Sequence, residues 1–280
     1  MRHNYAGDQG DYAKYALINA LAGDGQQVVG INWYLTVHEE KNADGDVRPH
    51  LDEPDEWEHL DSRLLARMVE AFCGLPGSKR RVELLENEGM LPMRTVFFTE
   101  PLPTGALPTA ERMAARDEWH RQAMRQMAAA DLVFLDPDNG FEVRSRGPRS
   151  KWRCKHATYA EVNDYLAAGK SVVPYQHARR IKWPMLVAKV TAEMREAGVQ
   201  MASPGFVAFG DRGFFLLSRD PAQVAEMTRG ALALQKRVAA RVREARAAGL
   251  ACATLRITVI PGAGSPPTSS STSYPRHPQL

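Results

Sequence analysis

The chain has 280 residues, a length that fits one large α/β domain or two small ones. Hydrophobic residues make up 44% of it, charged residues make up 25%, and the formal net charge is only +3. This composition is typical of a globular protein, and the overall charge does not indicate a nucleic-acid-binding protein. The three cysteines lie far apart without a Cys-x-x-Cys pair, so the sequence suggests neither a zinc ribbon nor a disulfide framework. Because the start has no apolar signal core and no apolar run approaches ~20 residues, we expect a soluble, cytoplasmic protein without a membrane segment.

The first informative segment is a loop rich in glycine and aspartate, residues 4–15, which leads into a short helix. Apolar residues recur at helical spacing from Ala13, and the pattern predicts Asp11 as the N-cap. Asp8, Asp11 and Lys14 cluster at the helix start, where free backbone N–H groups can bind an anion. Capping alone explains Asp11 but not the density of charged and tyrosine side chains. A role in ligand binding therefore stands beside the capping interpretation.

The first two predicted strands end in polar residues. The first covers residues 27–36 and would place Asn32 near the ligand edge of a sheet, and the second covers residues 94–100 and ends on Glu100. No Gly-x-Gly-x-x-Gly follows the first strand, which argues against an NAD enzyme.

The segment from Asp131 to Glu142 carries the strongest signal. The apolar run Leu132–Leu135 stops on turn residues, as expected for a buried strand of a parallel sheet. Asp136, Asp138 and Asn139 are thereby delivered to the carboxyl edge, where open α/β sheets bind ligands. The alternative is a plain turn with solvated acids.

A basic segment follows Glu142. Arg144, Arg146, Lys151 and neighbouring cations surround the single aromatic residue Trp152. Basic side chains neutralise phosphates and an aromatic ring can stack on a base, so the segment is a candidate nucleic-acid or phosphate contact. A solvated loop is the other interpretation.

A further strand, residues 170–177, would bring Tyr175, His177 and Arg179 to the same edge as Asp136. His177 would serve there as a general base or a phosphate contact, although a structural histidine explains the sequence equally well.

The sequence pattern in the rest of the chain predicts helices, a hairpin and a disordered tail. We expect a domain over residues 1–220, a C-terminal helix and possible strand over 221–260, and a disordered Ser/Thr/Pro-rich tail over 261–280. The remaining predicted elements are helices at 61–72, 79–86, 110–129, 158–168, 184–197 and 220–248, and a hairpin at 205–218.

The order of elements resembles a class I, Rossmann-like methyltransferase: a doubly wound, mostly parallel sheet whose last two strands form an antiparallel hairpin. The opening is similar to that of the bacterial ribosomal RNA adenine methyltransferases, with Ala6, Gly7, Asp11 and Lys14 in matching positions. Asp136-Pro-Asp-Asn139 stands where that family has Asp-Pro-Pro-Tyr. The sequence departs from the family in having no glycine-rich turn after the first strand. The segments Gly7–Tyr12, Asp136–Gly140 and Tyr175–His177 together also resemble a family of uncharacterised bacterial proteins, which implies no activity.

Three functions follow as hypotheses. The resemblance implies an S-adenosylmethionine-dependent methyltransferase acting on a nucleic acid or nucleobase amine, in which Asp136 orients the amine. Three groups of residues are candidates for its site: catalytic Asp136, Asp138, Asn139 and His177; cofactor-binding Gly7, Asp8, Asp11, Lys14, Asn32 and Glu100; and substrate-binding Arg144, Arg146, Lys151, Trp152, Tyr175 and Arg179. The second hypothesis is a nuclease or phosphodiesterase with Mg²⁺ held by Asp136, Asp138 and Glu142. The third is a non-catalytic nucleic-acid-binding module of the same fold.

Overall fold

The computed structural model describes residues 1–23, 25–36, 46–87, 89–103, 107–143, 154–178, 180–253 and 255–262. Within these ranges seven strands form one mixed sheet. The strands are β1 (Val29–Asn32), β2 (Thr95–Phe98), β3 (Leu132–Leu135), β4 (Ser171–His177), β5 (Gly205–Phe209), β6 (Arg212–Leu216) and β7 (Ile257–Ile260). Their spatial order is β2-β1-β3-β4-β6-β5-β7.

The sheet is parallel over β2, β1, β3 and β4 and antiparallel beyond them. β6 pairs antiparallel with both β4 and β5, and β7 pairs antiparallel with β5. The chain runs from β1 to β2 on one side and then returns to β3 on the other side. The point where the strand order reverses therefore lies between β1 and β3, which is the usual ligand position in open α/β sheets.

Helices cover both faces of the sheet. They are α1 (Gln9–Leu21), α2 (Pro49–Asp52), α3 (Glu58–Phe72), α4 (Val82–Asn87), α5 (Thr109–Gln126), α6 (Tyr159–Ala167), α7 (Trp183–Glu196) and α8 (Pro221–Ala247). Side chains alternate along β3, so Leu132 and Phe134 join one apolar core and Val133 and Leu135 join the other. The first core includes side chains of α1, α3 and α8, and the second includes side chains of α5, α6 and α7. None of the described helices is both long and apolar enough to cross a membrane.

The predicted α/β class and the antiparallel hairpin of β5 and β6 are confirmed, but the sheet as a whole is mixed and is parallel only over its N-terminal strands β1 to β4. The prediction that Asp11 caps α1 is wrong, because the helix starts three residues earlier than an Asp11 cap implies and Asp8 is the N-cap. The possible strand after α8 forms as β7 and extends the sheet beyond residue 220. Of the expected disordered tail, residues 263–280 lie outside the described ranges.

Candidate functional site

A polar cavity of about 480 Å³ lies at the carboxyl edge of the parallel strands. It is called the Asp136 cavity here, and its volume falls in the usual range for small-molecule sites. The start of α1, the turn after β3, the end of β4 and the start of β6 contribute most of its lining, together with the N-terminal residues Met1 and Tyr5 and with Val47. Its lining residues are Met1, Tyr5, Asp8, Gly10, Asp11, Lys14, Val47, Asp136, Pro137, Asp138, Asn139, Tyr175, His177 and Arg212.

A buried ion-pair bridge joins the first two segments. Lys14 Nζ lies 2.8 Å from Asp11 Oδ1 and 2.7 Å from Asp136 Oδ2. Burial lowers the pKa of Lys14, but the two carboxylates outweigh it and raise that pKa above its usual value. Burial raises the pKa of Asp136, against the opposing effect of the Lys14 ammonium. The contact spans 122 residues of sequence and brings the two predicted motifs together.

The start of α1 is organised by two aspartates. Asp8 Oδ1 accepts the Asp11 backbone N–H at 2.8 Å, and Asp11 Oδ2 accepts the Gly7 backbone N–H at 3.0 Å. Burial, with the nearby Asp11 carboxylate, raises the pKa of Asp8 to about 6. Asp8 is thus suited to exchange a proton close to neutral pH.

Asp138 is ion-paired on the inner side of the cavity. Its Oδ1 lies 2.7 Å from the Met1 amine, and its Oδ2 lies 3.5 Å from Arg2 Nε. Burial raises the pKa of Asp138, but these cations outweigh it and the net pKa is lowered. The neighbouring Asn139 is exposed, and its backbone N–H donates to the Lys155 carbonyl.

The end of β4 and the start of β6 form another wall of the cavity. The Tyr175 hydroxyl lies 3.1 Å from His177 Nδ1, and burial raises the pKa of Tyr175. Arg212 stands opposite His177 in the β4–β6 register. The sequence pattern placed Arg212 only in a hairpin turn. The available signal was that a strand paired antiparallel with β4 begins at the edge where β4 ends.

Several predicted site residues do not line the cavity. Asn32 is buried, its Oδ1 accepts the Tyr34 backbone N–H at 3.1 Å, and its amide nitrogen donates to the Tyr165 hydroxyl. Glu100 is exposed and contributes its carbonyl oxygen to Trp119. Gly7 supports the site only through its backbone N–H. The predicted residues Arg144, Arg146, Lys151, Trp152 and Arg179 lie outside the described ranges.

The proposed magnesium ligands are not clustered. Glu142 Oε1 accepts the Tyr159 backbone N–H at the start of α6, away from the cavity lining. In the described part of the chain, no three His, Cys, Asp or Glu side chains are arranged to hold a metal ion. The carboxylates Asp136 and Asp138 instead face ammonium and guanidinium groups.

The end of β1 is filled by aromatic side chains. Trp33 and Tyr34 are fully buried, and Trp33 stacks on Phe97 while its Nε1 donates to Glu86 Oε1 at 2.8 Å. Tyr34 has a left-handed backbone, with φ +47°, which non-glycine residues rarely adopt. Its amide is fixed by Asn32 and its hydroxyl by Glu161. No glycine-rich turn is present at this position.

A second buried ionic group, the Arg116 cluster, lies on the other face of the sheet. It consists of Arg116, Glu161, Tyr34, Thr158 and the His156 carbonyl. Arg116 Nε lies 2.7 Å from Glu161 Oε1, and the same guanidinium donates to the His156 carbonyl. Glu161 also accepts from the Tyr34 hydroxyl and the Thr158 backbone N–H. The pKa of Glu161 falls to about 2, because Arg116 and the hydrogen bonds outweigh burial.

Comparison with known proteins does not assign the chain to a group. No model of a known protein family matches it, and no curated protein matches its sequence. The assignment of a function therefore rests on the geometry of the Asp136 cavity.

Proposed function

We propose that the chain is a methyltransferase-like enzyme that acts on an exocyclic amine of a nucleobase, with the Asp136 cavity as its acceptor site. The observation that carries the proposal is the position of Asp136. Its carboxylate follows the central strand β3, lines the cavity and holds an amine nitrogen, Lys14 Nζ, at 2.7 Å. A carboxylate accepts several hydrogen bonds, so Asp136 can hold a substrate N–H as well.

The sheet supports the same proposal. β6 is inserted antiparallel between β4 and β5, so the last strand of the hairpin lies inside the sheet. The resemblance to class I methyltransferases implies an antiparallel hairpin after the parallel strands, and β5 and β6 form one, although β7 follows it and pairs with β5. The contact between the α1 segment and the turn after β3 brings together the two motifs on which the resemblance rests.

S-adenosylmethionine would bind on the α1 side of the cavity rather than at the end of β1, and two observations support this part of the proposal. Asp8 lines the cavity and would accept hydrogen bonds from the cofactor's ammonium or ribose hydroxyl groups. Trp33 and Tyr34 fill the space at the end of β1. When bound, the cofactor supplies an electrophilic methyl group.

The chain's own residues would orient the acceptor and manage its proton. Asp136 accepts an N–H of the acceptor amine, and the Lys14 ammonium, held by Asp11, favours the ionised form of that carboxylate. Asp8, whose pKa is raised to about 6, is suited to take up a proton near neutral pH.

The test is transfer of a labelled methyl group from S-adenosylmethionine to bacterial RNA, to DNA and to free nucleosides. Asp136→Asn is expected to lower the rate by about 100-fold or more, as for other positioned proton-accepting groups. Asp164→Asn is the matched control, because Asp164 is a carboxylate on the other face of the sheet, hydrogen-bonded to His120. Equal rates for the wild type and Asp136→Asn would exclude this role for Asp136.

A second function, a non-catalytic nucleic-acid-binding module, is favoured by the filled end of β1. Trp33 and Tyr34 occupy the region where the resembled enzymes have their cofactor loop. This function predicts RNA or DNA binding that S-adenosylmethionine does not change, together with no methyl transfer. A filter-binding assay with and without the cofactor distinguishes the two functions.

A further inference from the structure

Arg212 enters the Asp136 cavity from the β5–β6 hairpin. The register pairs it with His177 on β4, and both side chains line the cavity. His177 is exposed, and its Nδ1 contacts the Tyr175 hydroxyl. Two nitrogen-bearing side chains therefore stand side by side on one wall.

The first turn of α1 leaves room for this arginine. Gly10 has no side chain, and a Cβ atom there would overlap the Nε atom of Arg212. The guanidinium thus lies against the backbone of α1, opposite the turn after β3. A larger residue at position 10 would displace it.

The other cations at the cavity are closely paired with buried carboxylates. Lys14 bridges Asp11 and Asp136, and the Met1 amine lies 2.7 Å from Asp138. The Arg212 side chain is about 32% exposed, and its nitrogens lie 3.7 Å from Asp8 and 3.2 Å from the exposed Asp211. Looser pairing and greater exposure leave its guanidinium available to a ligand.

We infer that Arg212 and His177 form an anion subsite at the mouth of the Asp136 cavity, which binds the phosphate group of a nucleotide substrate. The inference rests on the proposed function for the nucleobase part of the ligand. A guanidinium presents several N–H donors in a planar fork that matches phosphate oxygens. A carboxylate of the cofactor has the same chemistry, so the experiment must separate the two sources.

The experiment is calorimetric titration of the full chain with adenosine 5′-monophosphate and, separately, with adenosine. The wild type is expected to bind the nucleotide at least about tenfold more tightly than the nucleoside, since charge-assisted hydrogen bonds contribute this much. Arg212→Gln removes the preference and leaves adenosine binding unchanged. Arg212→Lys keeps part of it, because lysine retains the charge without the fork.

The matched control is Arg243→Gln, an exposed arginine of α8 that does not line the cavity. It should bind both ligands like the wild type, and thermal unfolding followed by circular dichroism checks that each variant folds. A preference that persists in Arg212→Gln overturns the inference. A wild type without the preference, including one that binds neither ligand, overturns it too.

A third titration, with S-adenosylmethionine, distinguishes whether Arg212 binds the phosphate of the substrate or the carboxylate of the cofactor. Unchanged cofactor affinity in Arg212→Gln, together with a lost nucleotide preference, assigns the subsite to the substrate. Weakened cofactor binding without any nucleotide preference assigns Arg212 to the cofactor carboxylate and overturns the inference. If the wild type binds no cofactor but prefers the nucleotide, the methyltransferase proposal fails and the anion subsite stands.

Discussion

The Asp136 cavity and the Arg116 cluster are both built around a buried cation and carboxylate, but they differ in what surrounds the pair. In the Arg116 cluster, Glu161 is held by a guanidinium, a hydroxyl and a backbone N–H at once. The Arg116 cluster lines a small cavity of about 170 Å³, whereas the Lys14 bridge faces the cavity of about 480 Å³, which is lined by the more exposed groups Asp8, His177 and Arg212.

This difference shows that a buried ion pair does not by itself mark a functional site. The Arg116 pair fastens α5 to α6, and Glu161 also completes a capping box with Thr158. The Lys14 pair fastens α1 to the turn after β3 but leaves neighbouring polar groups accessible. Polar side chains that are accessible to a ligand and lie beside a fixed ion pair are suited to binding and catalysis.

The largest expected effect is on stability in the Arg116 cluster. Arg116→Met leaves the Glu161 carboxylate buried without its cation, and we expect a loss of about 3–5 kcal/mol in the free energy of unfolding. Urea denaturation at pH 7 measures it. The double variant Arg116→Met/Glu161→Met should recover part of the loss, and a single-variant loss below about 1 kcal/mol would contradict the structural role.

Lys14→Met is expected to cost about 3 kcal/mol at pH 7, because it leaves the Asp11 and Asp136 carboxylates side by side without their shared cation. Burial raises the pKa of Asp136, so the loss should shrink as the pH falls and Asp136 becomes protonated. Urea denaturation at several pH values tests this. The exposed Lys236→Met on α8 is the control and should show no measurable change.

The two regions should respond to acid in opposite directions. The folded-state pKa of Asp8 is raised to about 6, so the folded protein gains stability as the pH falls through 6 toward 4. The folded-state pKa of Glu161 is lowered to about 2, so its contribution is lost as the pH falls from 4.5 toward 2.

Asp8→Asn keeps an N-cap side chain and should abolish the gain between pH 7 and 4, an effect on the order of 1 kcal/mol. Glu161→Gln should flatten the loss below pH 4.5. Chemical denaturation across this pH range gives both curves, and parallel curves for the wild type and Asp8→Asn would refute the assignment of Asp8.

The smallest expected effect is that of Tyr34→Phe, which removes one hydrogen bond to Glu161 and should cost about 1 kcal/mol. Glu161 keeps Arg116 and the Thr158 backbone as partners, so the cluster should otherwise persist. Thermal unfolding measures the change. A loss as large as that of Arg116→Met would mean that Tyr34, with its left-handed backbone, rather than the ion pair holds this region together.

Much of the fold and part of the site follow from local sequence signals. The apolar run of β3 and the turn residues after it predict where Asp136 lies, because strand burial and chain reversal are local properties. The Gly/Asp-rich start of α1 likewise predicts a polar helix N-terminus. Only the resemblance implied that the start of α1 and the turn after β3 lie close together. The contact between Lys14 and Asp136 shows this proximity directly.

The remaining features depend on tertiary contacts that no local pattern contains. Arg212 joins the site only because β6 inserts beside β4, and Arg116 meets Glu161 only because α5 packs beside α6. Asn32 was expected to face a ligand at the end of β1. Instead, the Asn32 side-chain oxygen accepts the backbone N–H of Tyr34 and so stabilises the left-handed backbone at Tyr34.

The central claim is that the Asp136 cavity is the ligand-binding site of a methyltransferase-like enzyme. Calorimetric titration of the full chain with S-adenosylmethionine in EDTA tests it most directly. We expect binding in the micromolar range (about 8 kcal/mol), weakened about tenfold or more in Asp8→Asn and unchanged in Asp164→Asn. No binding by the wild type, or equal binding by Asp8→Asn, would contradict the claim.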